Sequence, residues 1–165
     1  RKMKKMVLTL IMFCLVSGAF AQIDSTQQYF KSPYIPAFNI RTVPDSSSFT
    51  NNMLQKNKPT ILMFFDPDCD HCQEATKNFT ARINRFKDVQ ILMVTIYDFN
   101  RIKKFHQDFK IADFPNIVLT RDAAFDLPRF YGVHSIPDVY VYDKKGKLMR
   151  HYKKDIPVEE IAALF

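Results

Sequence analysis

Residues 60–72 have the sequence TILMFFDPDCDHC. A continuous apolar run of this length that ends at a turn signal, here Asp66-Pro67, is typical of a strand buried on both faces. After the cysteines, apolar side chains recur every three or four residues from Cys72 to Phe86, which predicts an amphipathic helix. These residues therefore predict a buried strand that turns into a helix at a Cys-x-x-Cys pair.

The rest of the chain extends this unit into an α/β fold. A second apolar run, 91–97, follows the helix, so the order strand, helix, strand predicts a parallel βαβ unit. Two β-rich runs, 138–142 and 148–153, flank a polar turn that contains Gly146, which predicts an antiparallel hairpin. Further predicted elements are an edge strand near 37–41, helices over 46–57 and 101–109, a short strand at 116–120 and a final helix from Val158. The predicted fold is one central mixed β-sheet flanked by helices on both faces, with a C-terminal β-hairpin and helix.

The N-terminal segment has the layout of a secretory signal peptide over residues 1–21. A basic start precedes an apolar run, 6–16, and small residues occupy positions 19 and 21. Cleavage after Ala21 leaves an extended segment over 22–45 and a domain over 46–165. The apolar run is shorter than the roughly 20 residues that span a bilayer. We therefore expect export to a periplasm or cell envelope without stable membrane insertion, and an uncleaved N-terminal membrane anchor is the alternative.

Length and charge limit the class of protein. With 165 residues, 47% of them hydrophobic, the chain can form one folded domain, which excludes a disordered chain. Its formal charge of +7 raises nucleic acid as a partner. Residues 1–21 hold four Lys or Arg, no Asp or Glu, and Cys14; without them, 20 basic residues face 17 acidic ones, a charge of +3. We therefore expect no nucleic-acid partner, and Cys69 and Cys72 are the cysteines of the expected mature chain.

The chemistry of the chain centres on Cys69 and Cys72. A helix N-terminus favours a thiolate, because it presents unpaired N–H groups and a partial positive charge. Cys69, at the exposed end of the predicted helix, is the candidate nucleophile, and Cys72, one turn further in, is the candidate resolving thiol. A protonated His71 would stabilise the thiolate further. Three neighbouring carboxylates oppose it: Asp66, Asp68 and Asp70.

Two other uses of the cysteine pair stay open. A structural zinc site needs four ligands, and the expected mature chain lacks a second cysteine pair, although Cys69, His71 and Cys72 could form a three-ligand copper or zinc site. A purely structural disulfide is the other use, but closing so short a loop stabilises a protein little. The position between a strand and a helix favours redox chemistry instead. We therefore predict no metal site.

Residues 60–72, together with residues 131–140 (YGVHSIPDVY), resemble the thioredoxin-like superfamily, and more closely the exported TlpA/ResA-like thiol-disulfide oxidoreductases. The resemblance covers most of the expected mature chain and implies a thioredoxin fold. It also implies a cis peptide bond before Pro137 that faces the cysteines, and substrate pairing along the backbone of Ser135 and Ile136. Pro137 would keep metal ions away from the sulfurs.

The resemblance further implies an enzyme that exchanges thiols and disulfides with protein substrates. Its redox-active disulfide, Cys69–Cys72, needs no organic cofactor, and a membrane redox partner would recycle it. We expect a monomer. The alternative is a non-catalytic thioredoxin-like module that handles metal or binds protein through Cys69, His71 and Cys72.

Three positions depart from the family pattern. Asp68 stands where a tryptophan often precedes the first cysteine, His71 stands where a proline is common, and Met63 stands where thioredoxin buries an acidic residue. His71 and Asp70 are the candidates for tuning the thiolate. Because the usual proton acceptor is missing, the direction of exchange stays open among reductase, oxidant and isomerase.

Overall fold

The computed structural model describes residues 32–165, so the predicted signal peptide lies outside the described residues. Within them, seven strands form one mixed sheet in the order β2-β1-β5-β4-β3-β6-β7. The strands are β1 (Asn39–Thr42), β2 (Ser48–Thr50), β3 (Thr60–Phe64), β4 (Gln90–Thr95), β5 (Ile117–Arg121), β6 (Asp138–Tyr142) and β7 (Leu148–Lys153). The α-helices are α1 (Asp70–Ala81), α2 (Phe99–Asp108), α3 (Asp126–Tyr131) and α4 (Val158–Ala162). None of these helices is long and apolar enough to cross a membrane.

The centre of the sheet is parallel, as the βαβ pattern predicts. β3 pairs with β4 and β4 with β5, both in parallel, and Ile61 lies opposite Ile91. Every residue of β3 and β4 is buried. β6 pairs with β3 in antiparallel orientation, and β7 pairs with β6 as the second strand of the predicted hairpin. The strand that leads into the cysteines therefore lies in the middle of the sheet, where both faces are covered.

The two faces of the sheet carry separate hydrophobic clusters. On one face, α1, α2 and α4 pack over β-strand residues that include Met63 and Val139, and Cys72 belongs to this cluster. On the other face, α3 covers Phe64 and Tyr140. Each fully buried side chain of this size contributes about 1.5–3 kcal/mol, so both clusters hold β3 and β6 in place. The predicted α/β fold, with a mixed sheet and helices on both faces, is confirmed.

The prediction of a helix over 46–57 is wrong. These residues form β2 and a 3-10 turn at Asn51–Met53. Phe49 is buried, lies opposite Ile40 in the β1–β2 pair and stacks on Phe38 with ring centroids 6.1 Å apart. Strand pairing and burial of this aromatic ring override the local sequence preference. β2 also covers the outer side of β1, so the strand expected near 37–41 is present but does not form the edge of the sheet.

Helix α3 was not predicted from the sequence. It has six residues, contains Pro128 and starts directly after Phe125, whose φ is 61°. A helix of less than two turns is too short to show a periodic apolar stripe, and an internal proline argues against predicting a helix. The helix expected to reach Phe86 ends at Ala81, and a 3-10 turn continues the chain from Ile83.

Candidate active site

The two cysteines lie at the junction between β3 and α1. Cys69 is the N-cap of α1, one residue before the first helical residue, and its Sγ accepts the backbone N–H of Cys72 at 3.3 Å. Cys69 is half-buried, whereas Cys72 is fully buried, and both thiols are free. A backbone N–H aimed at the Cys69 sulfur from a helix N-terminus stabilises a thiolate there. Cys69 is therefore exposed enough to react with a partner, whereas Cys72 is shielded from the surface.

The environment of Cys72 keeps its thiol protonated. Burial raises the pKa of Cys72 well above its ordinary range, and the neighbouring Cys69 raises it further. The backbone N–H of Asp66 acts in the opposite direction, because a hydrogen bond to the Cys72 sulfur favours the thiolate. Met63 is also fully buried and belongs to the same cluster as Cys72. The position at which thioredoxin buries an acidic residue is thus apolar, so Met63 cannot take the proton of Cys72.

A loop at residues 133–137, the Pro137 loop, lies at the same edge of the sheet as the cysteines. Asp138, the residue after the loop, is opposite Phe64 in the β3–β6 pair. The Ile136–Pro137 peptide bond is cis. Within residues 32–165, the backbone N–H and C=O groups of Ser135 and Ile136 make no hydrogen bond. The loop therefore offers unpaired backbone groups to another extended segment.

The model of one protein family, described as a thioredoxin-like domain, matches residues 50–165. This match spans more than half of the chain and includes the cysteines and the Pro137 loop. The chain belongs to the thioredoxin-like family. Solved structures with the same fold include exported proteins of this type, which is consistent with the resemblance to TlpA/ResA-like proteins.

Three of these structures illustrate the likeness of this thioredoxin-like chain. A secreted disulfide oxidoreductase of Mycobacterium tuberculosis, homologous to Escherichia coli DsbE, has 18% identity and a TM-score of 0.65, and the match covers 76% of this chain and 92% of that one. A putative thiol:disulfide interchange protein DsbE of Chlorobium tepidum has 19% identity and a TM-score of 0.64, and the match covers 79% of this chain and 93% of that one. StoA of Bacillus subtilis has 19% identity and a TM-score of 0.58, and the match covers 79% of this chain and 98% of that one. At these identities the likeness establishes the fold.

An acidic cluster borders the cysteines of this thioredoxin-like domain. Arg101 Nη2 donates to Asp66 Oδ1 at 3.1 Å, and the Arg101 guanidinium also donates to the carboxylate of Asp68. The guanidinium lies 4.1 Å from the centre of the Tyr97 ring, and the pKa of Tyr97 is raised by its hydrogen bond to Asp66. The sequence indicated that these carboxylates oppose a thiolate, but Arg101 compensates two of them. This pairing across more than 30 residues leaves no local signal in the sequence.

A charged surface, the polar flank, includes His71, which lies between the two cysteines in the sequence, together with Glu74, Lys154 and Asp155. These residues line a cavity of about 180 Å³. His71 Nδ1 lies 3.7 Å from Asp155 Oδ1, but the two side chains are 62% and 93% exposed. Ion pairs at such exposure are worth about 0–1 kcal/mol. Asp70, the first residue of α1, is also exposed. The structure thus leaves both predicted tuning residues, His71 and Asp70, exposed to water, which screens their charges.

An apolar cavity of about 220 Å³ lies beside the Pro137 loop. The end of β4, the loop and the start of α3 form its wall, and none of the lining residues is Asp, Glu, Lys or Arg. The lining residues are Phe64, Phe65, Val94, Thr95, Ile96, Tyr97, Phe125, Pro128, Val133, His134, Ser135 and Ile136. The sequence could not indicate this cavity, because α3 was not predicted.

The predicted alternative is a metal site formed by Cys69, His71 and Cys72. The structure does not arrange these three residues as metal ligands. Across residues 32–165, no three His, Cys, Asp or Glu side chains converge in a way that could hold a metal ion. His71 is turned toward Asp155 instead. Metal handling therefore stays a prediction that metal analysis has to test.

Proposed function

We propose that this thioredoxin-like protein is a thiol-disulfide oxidoreductase that exchanges the Cys69–Cys72 pair with protein substrates in the cell envelope. The observation that carries the proposal is the asymmetry of the two thiols. Cys69 caps α1, accepts a backbone N–H and reaches the surface, whereas Cys72 is buried with a raised pKa. Two-step exchange requires an exposed nucleophilic thiol and a second, protected thiol that resolves the mixed disulfide.

The reductive direction has two steps. The Cys69 thiolate attacks one sulfur of a substrate disulfide, a Cys69–substrate disulfide forms, and the other substrate sulfur leaves as a thiolate. Cys72, once deprotonated, attacks Cys69 Sγ; the Cys69–Cys72 disulfide forms and the second substrate sulfur leaves as a thiolate. The protein gives up two electrons and the substrate disulfide receives them. Oxidation of a substrate dithiol is the reverse sequence.

Asp66 is the proton acceptor for the second step. The raised pKa of Cys72 means that a base must take its proton before it attacks. Asp66 has a negative charge that acts on Cys72, and its side chain is only 17% exposed. Hydrogen bonds from Arg101 and from the Asp68 backbone N–H fix its carboxylate. The proton passes from Cys72 to the carboxylate of Asp66, and from there to the departing substrate thiolate.

Substrate binding falls to the Pro137 loop. The unpaired backbone groups of Ser135 and Ile136 suit an extended substrate segment that adds to this edge as a strand does. Pro137, which is buried and has no N–H group, closes the loop and shields the sulfurs from metal ions. His71 and Asp70 tune the Cys69 thiolate through solvent, with small effect. The reaction needs no organic cofactor.

A second protein has to recycle the pair after each turnover. For a reductase this partner is a membrane electron donor, and for an oxidant it is a quinone-linked oxidase. Export of the protein to the envelope rests on the sequence of residues 1–21. A monomer suffices for the reaction.

A redox titration of the purified protein tests the proposal. The reduced protein is equilibrated with mixtures of reduced and oxidised glutathione, quenched with acid and analysed by mass spectrometry. We expect one reversible two-electron transition between the dithiol and the Cys69–Cys72 disulfide. A potential of about −270 mV identifies a reductase, and one of about −120 mV identifies an oxidant.

Absence of the Cys69–Cys72 disulfide at every glutathione ratio would contradict the proposal. Metal analysis of the same reduced sample gives the competing result. Stoichiometric copper or zinc that is lost in His71→Ala, without any redox transition, would favour the metal-handling module.

A further inference from the structure

Asp138, the residue after Pro137, carries a carboxylate that the proposed exchange does not use. Its side chain is completely buried. Side chains alternate along a strand, so Asp138 points to the same face of the sheet as Tyr140, the face that α3 covers. Cys72 belongs to the cluster on the other face. Asp138 is therefore not a proton acceptor for the cysteines, and a buried charge at this position needs another explanation.

Three side chains hold the Asp138 carboxylate. His151 Nε2 lies 2.5 Å from Asp138 Oδ1, and the Tyr140 hydroxyl donates to Oδ2 at 3.3 Å. Lys153 Nζ lies 3.9 Å from Oδ2. The His151 ring also stacks on the Tyr140 ring, with centroids 4.1 Å apart and an interplanar angle of 14°. The carboxylate is therefore paired on both oxygens, and its two basic partners both come from β7.

The backbone ties the same segments together. Lys153 is opposite Asp138 in the β6–β7 pair, and Lys154 donates its N–H to the Pro137 carbonyl at 3.0 Å. On its other edge, Asp138 is opposite Phe64 of β3. Asp138 thus lies between β7 and β3, the strand that leads to the cysteines. A shift of Asp138 in this sheet would move the Pro137 loop relative to the cysteines.

A buried carboxylate holds one geometry more strictly than an apolar side chain does. An apolar side chain can repack in another orientation, whereas a buried carboxylate has to keep its partners, because losing one leaves an uncompensated charge. Some proteins use buried polar groups in this way to specify a single arrangement. Because Pro137 directly precedes Asp138, the arrangement specified here is that of the substrate-binding loop.

We propose that Asp138, held by His151 and Lys153, is a positioning residue that fixes the Pro137 loop for substrate binding. The inference rests on the proposed thiol-disulfide exchange and assigns a part in it to residues on the face of the sheet opposite the cysteine cluster. It predicts that loss of the pairing weakens the binding of a peptide substrate without changing the reactivity of Cys69 itself.

The test compares a substrate that needs the loop with a reagent that does not. The substrate is a short peptide joined through its cysteine to thionitrobenzoate. The Cys69 thiolate attacks the peptide sulfur, the Cys69–peptide disulfide forms and thionitrobenzoate leaves, which is followed by absorbance. The reagent is dithiobis-nitrobenzoate, whose reaction with Cys69 releases the same product. All proteins carry Cys72→Ala, so that each Cys69 reacts once, and the protein with this change alone is the parent.

Variants of the two basic partners should affect the peptide reaction alone. His151→Phe keeps an aromatic ring on Tyr140 but removes the Nε2 partner of Asp138, and Lys153→Met removes the ammonium group. We expect the half-saturating peptide concentration to rise about tenfold in His151→Phe. The rise should be about threefold in Lys153→Met, because Lys153 is 42% exposed. The rate at saturation and the reaction with dithiobis-nitrobenzoate should stay within about twofold of the parent.

Arg150→Met is the matched control. Arg150 also lies on β7, but it is exposed and its guanidinium donates to the Met149 carbonyl, so the half-saturating concentration should not change. Asp138→Asn/His151→Phe is a second test, because it leaves no unpaired carboxylate and keeps the protein folded where His151→Phe alone destabilises it. We expect about a tenfold rise in the half-saturating concentration here too.

The outcomes separate this inference from the proposed function. Full peptide affinity in the double variant would overturn the inference, because the pairing would then not be needed to fix the loop. Equal losses with the peptide and with dithiobis-nitrobenzoate would also overturn it, since the effect would lie on Cys69. In both cases the proposed exchange stands. If the parent reacts with neither compound, the proposed function itself fails.

Discussion

The surface around His71 is charged and mostly exposed, whereas the surface around Ile136 is apolar and concave. A third group is Asp66, whose side chain is 17% exposed and whose charge acts on the buried thiol of Cys72. The three surroundings of one cysteine pair therefore differ in charge and in solvent access. Solvent access decides what each of them can contribute.

The electrostatic interaction between a charge and a thiol weakens as the effective dielectric constant between them rises, so an exposed charge acts less strongly than a shielded one. His71 Nδ1 lies 3.7 Å from Asp155 Oδ1, but both side chains are mostly in water. Asp66 is 17% exposed, and its charge raises the pKa of Cys72. We therefore assign proton transfer to Asp66, a minor role to His71, and substrate binding to the Pro137 loop. The following variants test this division, beginning with the larger effect.

Replacement of Asp66 should slow the resolving step. In Asp66→Asn the proton of Cys72 has no carboxylate to receive it, and loss of a positioned base typically costs about 100-fold or more. The rate of decay of a purified Cys69–peptide mixed disulfide, followed by rapid mixing and acid quench, measures this step. Because hydroxide must then take the proton, the remaining rate should rise with pH across the neutral range.

Asp68→Asn is the matched control for Asp66→Asn. It removes one negative charge and one Arg101 partner in the same way, but Asp68 is 71% exposed. We expect a change of less than about threefold in the decay rate, as for other exposed charges. Removing the charge of Asp66 also removes an interaction that raises the pKa of Cys72. Faster decay in Asp66→Asn would therefore show that this electrostatic effect dominates and would contradict the assignment of Asp66 as base.

Replacement of His71 should have the smallest effect. In His71→Ala we expect the rate of Cys69 alkylation by iodoacetamide at neutral pH to change by less than about threefold, since an exposed ion pair contributes about 0–1 kcal/mol. Asp155→Asn should give the same small change. A tenfold loss of reactivity in His71→Ala but not in Asp155→Asn would show that the imidazole acts directly on the Cys69 sulfur.

The parts of the fold with strong local patterns could be predicted from the sequence. The apolar run of β3, the helical stripe after Cys72 and the turn at Gly146 each carry their signal within a few residues. They gave the βαβ unit, the hairpin and the position of Cys69 at the start of a helix. β2 could not be predicted, because Phe49 is held by a contact with Phe38 on another strand.

The surroundings of the cysteines were less predictable than the cysteines themselves. Arg101 reaches Asp66 and Asp68 from α2, and only the packing of α2 against the sheet brings these charges together. The apolar cavity likewise depends on α3, whose six residues carry no periodic signal. Sequence patterns therefore located the reacting atoms, whereas the groups that would control their protonation and substrate binding required the three-dimensional structure.

The most direct test of the proposed exchange is covalent trapping in the cell envelope. Cys72→Ala leaves Cys69 able to attack a substrate but removes the thiol that releases it, so mixed disulfides should accumulate. The variant is expressed with its N-terminal segment, free thiols are blocked in acid, and disulfide-linked partners are recovered and identified before and after reduction. The double variant Cys69→Ala/Cys72→Ala is the control. We predict partner proteins that are released by reductant from Cys72→Ala and absent from the double variant; equal recovery from both would contradict thiol-disulfide exchange through Cys69.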